Sequence, residues 1–124
     1  MTKAIAVVDD EVNLVNLFAE ALQINGYDVC TFTDPLEALS HIENNPNKYC
    51  LIISDFKMPN MNGNDLCLKL KELNHDLKII LMSAYADVQY NEAFQFIRKP
   101  IPLSHLLEIV KENLTLSQMS IQKI

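Results

Sequence analysis

Short apolar runs alternate along the chain with stretches in which apolar positions return every three or four residues. Residues 3–8 form the first run, which stops at Asp9-Asp10. From 12 to 24, Val12, Val15, Ala19 and Leu22 keep a helical period, with Leu14, Phe18 and Ala21 beside them. Gly26 closes that helix, because glycine past the last turn takes a left-handed conformation without steric cost. Residues 28–32 predict a second strand. Asp34 then stands before Pro35, a capping acid ahead of proline at the first helical position, and Leu36, Leu39 and Ile42 follow. Residues 44–48, with Pro46 among them, read as a loop.

The alternation continues in the second half. Residues 50–54 are a continuous apolar strand running into Asp55, and 59–63 form a turn-rich loop. Residues 64–73 predict a helix with Leu66, Leu70 and Leu73 on one face. A fourth strand at 77–82 ends at Ser83, and a short fifth at 94–97 precedes Lys99-Pro100. Ser104 caps a last helix carrying Leu107, Val110 and Leu114.

Five apolar strands separated by helical segments predict an α/β fold, a doubly wound five-stranded parallel sheet covered on both faces. In such sheets, sites form beyond the carboxyl ends of the strands, at the topological switch point. Here those ends deliver Asp9, Asp10, Asp55, Ser83 and Lys99 to one edge.

Composition narrows the picture. At 124 residues the chain is sized for one domain with one ordinary core. A formal net charge of −6 argues against direct nucleic-acid binding, which needs a basic surface. The N-terminal apolar run is too short for a secretory signal, and no stretch approaches a membrane span. Cys30, Cys50 and Cys67 are odd in number and widely spaced, and read as small buried hydrophobes rather than zinc ligands or disulfide partners. Together these features place the chain in the cytoplasm.

The converging residues imply a chemistry. Three clustered carboxylates repel one another, and a hard divalent cation relieves the repulsion; oxygen donors select Mg2+ or Mn2+ over zinc. A hydroxyl and an ammonium beside such a site suit phosphoryl transfer, where positioning and charge neutralisation dominate. Asp55, on the central strand, is the candidate nucleophile that becomes an aspartyl phosphate. Taken singly, Asp9 or Asp10 is accounted for as a helix cap, Lys99 as a surface lysine and Ser83 as a turn residue. Their joint arrival at one edge is not.

The segments Val7-Val8-Asp9-Asp10-Glu11, Ser54-Asp55-Phe56-Lys57-Met58-Pro59-Asn60-Met61-Asn62-Gly63, Met82-Ser83-Ala84 and Ile97-Arg98-Lys99-Pro100 resemble, in this order, the receiver domains of response regulators in two-component systems. The resemblance covers residues 3 to about 115, leaving 116–124 as an extension of the last helix or a frayed tail. It implies a flavodoxin-like receiver fold and a role for each residue. Asp55 accepts the phosphoryl group from a histidine kinase or phosphotransfer protein. Asp10 and Asp55 bind magnesium through carboxylates, Lys57 through its backbone carbonyl, and Asp9 through a water. Ser83 hydrogen-bonds the phosphoryl oxygen, Lys99 pairs with it, and the Lys99-Pro100 bond is cis. Ser83 and Phe96 form the switch; Phe96 has no hydroxyl, so it acts by packing alone. Lys57 and Tyr85 tune the lifetime of the phosphate by hindering water. The product is a phosphorylation-dependent partner-binding protein, a monomer or weak dimer with a downstream protein unnamed by the sequence, and not an enzyme beyond slow autodephosphorylation.

One segment departs from the family pattern. Ser83 and Lys99 stand 16 residues apart, shorter than usual by about six residues, or roughly a turn and a half of helix. The helix between the fourth and fifth strands, across residues 86–93, is therefore expected to be short or missing. Two other readings stay open. A metal-dependent aspartyl-phosphate phosphatase usually carries a second acid two residues after the nucleophile, where Lys57 stands here. A phosphorylation-independent interaction module would keep the pocket only as a relic. A flavin site lacks its phosphate-binding loop after the first strand.

Overall fold

The computed structural model describes residues 3–85 and 94–122, with side chains as far as 114. Five strands, β1 (Ala4–Val8), β2 (Val29–Phe32), β3 (Tyr49–Asp55), β4 (Lys78–Ser83) and β5 (Gln95–Arg98), form one sheet in the order β2-β1-β3-β4-β5. Every pairing is parallel. The helices are α1 (Val12–Ile24), α2 (Pro35–Asn44), α3 (Gly63–Leu73) and α4 (Leu103–Gln122). The doubly wound α/β sheet expected from the sequence is the observed fold. The short or missing helix expected at 86–93 lies outside the described residues.

Strand alternation divides the core in two. Ile5, Val7, Leu51, Ile53, Ile80 and Met82 face α1 and α4, against Val15, Phe18, Leu22, Leu106, Ile109 and Val110. Ala4, Ala6, Val8, Ile52, Ile79 and Leu81 face α2 and α3, against Ala38, Ile42, Leu66, Cys67 and Leu70. Both faces are dry, which is why the central strands read as unbroken apolar runs rather than alternating ones.

Local signals set the helix ends. Asp34 Oδ1 accepts the Leu36 amide at 3.0 Å ahead of Pro35, and Asn62 Oδ1 accepts the Asp65 amide at 2.8 Å. Gly26 follows α1 with φ 92°, donating to Gln23. Some expected details differ. Leu73 is 47% exposed, because α3 buries Leu66, Cys67 and Leu70 instead; a face defined every three or four residues drifts by the third turn. Val12 and Leu36, at the outer starts of their helices, are likewise exposed. Only Cys67 is buried; Cys30 on the edge strand β2 and Cys50 near the start of the central strand β3 are half-buried free thiols. Ser104 is not a cap: α4 begins at Leu103, and the Pro102 carbonyl accepts the first helical amides, those of His105 and Leu106.

Candidate functional site

The strand order reverses between β1 and β3, so their carboxyl ends open a crevice, and Asp9 and Asp55 stand at its two sides. Asp9 is fully buried and uses both oxygens. Oδ1 accepts the Glu11 amide at 3.0 Å, and Oδ2 takes the Lys99 ammonium at 2.9 Å. Lys99 Nζ also lies 3.1 Å from Asp55 Oδ1, bridging the two acids. Asp10 is exposed at the rim, yet Asp9, Asp10 and Asp55 each offer an oxygen within 4.8 Å of the others.

Each side chain is placed by backbone bonds around it. The Lys99 amide donates to the Ser83 carbonyl at 2.8 Å, which locks the residue after β5 to the end of β4. The Lys99-Pro100 bond is cis, as the resemblance implied. Past Asp55, the Phe56 amide donates to Met82 and the Phe56 carbonyl accepts from Gly63, at 2.8 and 2.7 Å. The chain turns over the site through Asn60, whose φ of 73° accompanies a bond from the Met61 amide to the Pro59 carbonyl. That conformation is uncommon outside glycine and most accessible to asparagine.

The electrostatics follow from burial without enough counter-charge. Burial, then the neighbouring Asp9, push the Asp55 carboxyl up to about 6, with Lys99 acting in the opposite sense. Burial alone would lower Lys99, but its hydrogen bond to Asp9 and the charges of Asp55 and Asp9 outweigh that and raise it. Three hard carboxylate donors, one of them held up toward neutrality by burial and by Asp9, fit a divalent cation with an affinity for oxygen.

Ser83 is buried at the end of β4, and its Oγ accepts the Tyr85 amide at 3.0 Å. Lys57 is exposed, and its Nζ lies 4.9 Å from the centre of the Tyr85 ring. The structure therefore brings Asp9, Asp10, Asp55 and Lys99 to one crevice, with Ser83 tied to Lys99 through its backbone carbonyl and Lys57 paired with Tyr85. Phe96 is not in the crevice; it is half-buried on β5 beside Leu81, against the core on the α2–α3 side.

One positioning residue has no assigned role in the sequence reading. Gly63 packs so closely beneath the site that an added Cβ would collide with the Asp55 carbonyl oxygen. It would also sit 3.0 Å from the Asp55 carbonyl carbon and 3.1 Å from Leu81 Cδ2. The available signal was a glycine standing at the start of a helix, where a better helix former is otherwise expected.

A five-stranded parallel sheet in this order, with acids at the ends of β1 and β3 and a lysine after β5, defines the class of CheY-like α/β domains. The family model for the response regulator receiver domain matches residues 5–111, and the chain belongs to that family. It is 34% identical over 108 residues to the two-component response regulator ARR10 of Arabidopsis thaliana, covering 82% of this chain but only 19% of ARR10. The receiver domain protein of Methanospirillum hungatei superposes with a TM-score of 0.88 at 29% identity, covering 97% of this chain and 99% of that one. The response regulator TrrA of Thermotoga maritima, solved in complex with Mg2+-BeF, superposes with a TM-score of 0.80 at 33% identity, covering 90% and 99%. Among the described residues, no helix is long and apolar enough to cross a membrane.

Proposed function

We propose that Asp55 takes a phosphoryl group from the phosphohistidine of a histidine kinase or phosphotransfer protein, in a reaction that needs Mg2+ or Mn2+. The observation that carries this is the Lys99 ammonium bridging Asp9 and Asp55 inside a cluster of three acids. The complex of TrrA with Mg2+-BeF supports it by likeness.

Asp9, Asp10 and Asp55 would hold the cation, with the Lys57 carbonyl as a further oxygen donor. When bound, the cation supplies positive charge opposite the acids and the phosphoryl oxygens. The rest falls to the chain. An Asp55 oxygen forms the new O–P bond as the donor's N–P bond breaks, and the electron pair leaves on the imidazole nitrogen. Lys99 turns its ammonium to the phosphoryl oxygens. Ser83 keeps its own hydroxyl proton free to donate, since its oxygen is the acceptor in the bond from Tyr85. Ser83 then draws in its loop and Phe96 repacks. A new surface binds a downstream protein; direct nucleic-acid contact plays no part.

We read residues 1–115 as the receiver body and 116–124 as its extension, and the protein as a cytoplasmic monomer or weak dimer. Lys57 and Tyr85 slow hydrolysis of the phosphate. Intact mass after incubation with acetyl phosphate and magnesium tests the proposal. One base-labile phosphoryl group is expected on the wild type and none on Asp55→Asn. Equal gain by both proteins, or steady turnover of unrelated phosphate esters, would contradict it.

A further inference from the structure

We infer that Ser54 is a positioning residue for the phosphoacceptor: its hydroxyl holds the peptide plane that follows Asp55 and so sets the aim of the Asp55 carboxylate. This rests on the reading of Asp55 as phosphoacceptor.

Burial singles the residue out. Asp9, Ser54, Asp55 and Ser83 are the short polar side chains buried among the described residues, and all but Ser54 already have a place in the proposed chemistry. Ser54 is fully buried one residue before the phosphoacceptor, and its Oγ donates to the Asp55 carbonyl at 2.9 Å. A buried hydroxyl is costly unless bonded, and central strands covered on both faces are otherwise filled by aliphatic side chains. Ile52, two residues earlier on the same face of β3, follows that rule.

The strand register shows why the carbonyl needs a partner. The last pair between β1 and β3 is Val8 with Ser54, so Asp55 stands past the end of β1. In a trans peptide the C=O of one residue points opposite to the N–H of the next. The Phe56 amide donates to the Met82 carbonyl of β4 at 2.8 Å, so the Asp55 carbonyl points the other way, to the side where β1 has ended. Ser54 supplies the donor that the ended strand does not. The start of α3 closes over the same group, since a Cβ on Gly63 would collide with the Asp55 carbonyl oxygen.

The plane between Asp55 and Phe56 is thus gripped on both sides, its N–H by β4 and its C=O by Ser54. That plane fixes the last backbone torsion of Asp55, and with it the direction in which the carboxylate leaves the strand. Held by its N–H alone, the plane can rock, and a nucleophile misplaced by about 1 Å loses rate. Aim governs the maximal rate of transfer rather than capture of the donor, so losing the Ser54 hydroxyl is a defect of rate and not of affinity. If Ser54 only filled the core, its replacement would change stability and leave that rate alone.

The experiment uses the whole chain with saturating magnesium and acetyl phosphate as donor. Phosphoryl content is followed by intact mass over time, and circular dichroism checks that each variant is folded. Ser54→Ala removes the donor, Ser54→Cys keeps the size but donates weakly, and Ser54→Thr keeps the hydroxyl. In the Ala and Cys variants the maximal rate is expected to fall about tenfold, with the half-saturating acetyl phosphate concentration within about twofold of the wild type. Ser54→Thr restores the rate. If Ser54→Ala does not fold, Ser54→Cys carries the comparison. A wild-type maximal rate in Ser54→Cys, a change confined to half-saturation, or a Ser54→Thr protein as slow as Ser54→Cys overturns the inference and leaves the phosphoacceptor reading standing. No gain of phosphate by the wild type overturns both.

Discussion

Lys99 and Lys57 flank the same carboxylate and are held in opposite ways. Lys99 follows β5, with its amide on the Ser83 carbonyl and its ammonium between two acids, one fully buried. Lys57 lies on an exposed loop, with its ammonium over a half-exposed ring. The sheet fixes the first, while side chains at the surface arrange the second. A parallel sheet can thus build a charged floor at its strand ends and leave the loops beyond it adjustable.

The largest expected effect comes from breaking the floor. Lys99→Met leaves Asp9 and Asp55 without their shared cation and should cost about 3 kcal/mol in urea unfolding at pH 7. The loss should shrink toward pH 5, where protonation relieves the pair. The same electrostatics sets the pH response of the metal-free wild type. Burial and Asp9 hold the folded Asp55 carboxyl up at about 6 against an ordinary 3.8. An acid whose pKa rises on folding binds its proton more tightly in the folded state. Stability from this group is therefore full below about pH 4 and lost as pH climbs through about 6, on the order of 2–3 kcal/mol. Urea midpoints across that range should fall without magnesium and flatten with it.

A steric break of the floor ranks next. Gly63→Ala forces its Cβ onto the Asp55 carbonyl, a backbone group that cannot swing aside. A cost of about 1–3 kcal/mol in the same assay is expected, with weaker magnesium binding. Asp10→Asn removes an exposed like charge and should stabilise the metal-free protein by less than about 1 kcal/mol, while weakening magnesium affinity in a fluorescence or calorimetric titration. Tyr85→Leu, in the exposed pair with Lys57, should shift the urea midpoint by no more than about 0.5 kcal/mol.

The contrast also explains what was legible beforehand. Strands buried on both faces must be unbroken apolar runs, so β1, β3 and β4 announce themselves, and with them the residues at their ends. Asp9, Asp55, Ser83 and Lys99 followed directly. Details of the surface did not. Leu73 belongs to the apolar period of α3 but lies outside its buried face, which Cys67 completes instead. The Lys57–Tyr85 contact joins residues from two loops, and no local pattern encodes such a meeting. Gly63 was visible as a letter, but its close approach to Asp55 exists only once α3 is packed beneath β3.

The most direct measurement locates the phosphoryl group. After phosphorylation with acetyl phosphate and magnesium, borohydride reduces an acyl phosphate to an alcohol, which converts the aspartate that carried it to homoserine. Peptide sequencing is expected to find homoserine at position 55 and nowhere else. Homoserine at Asp9 or Asp10, or phosphate retained on a histidine or serine, would contradict the assignment of Asp55.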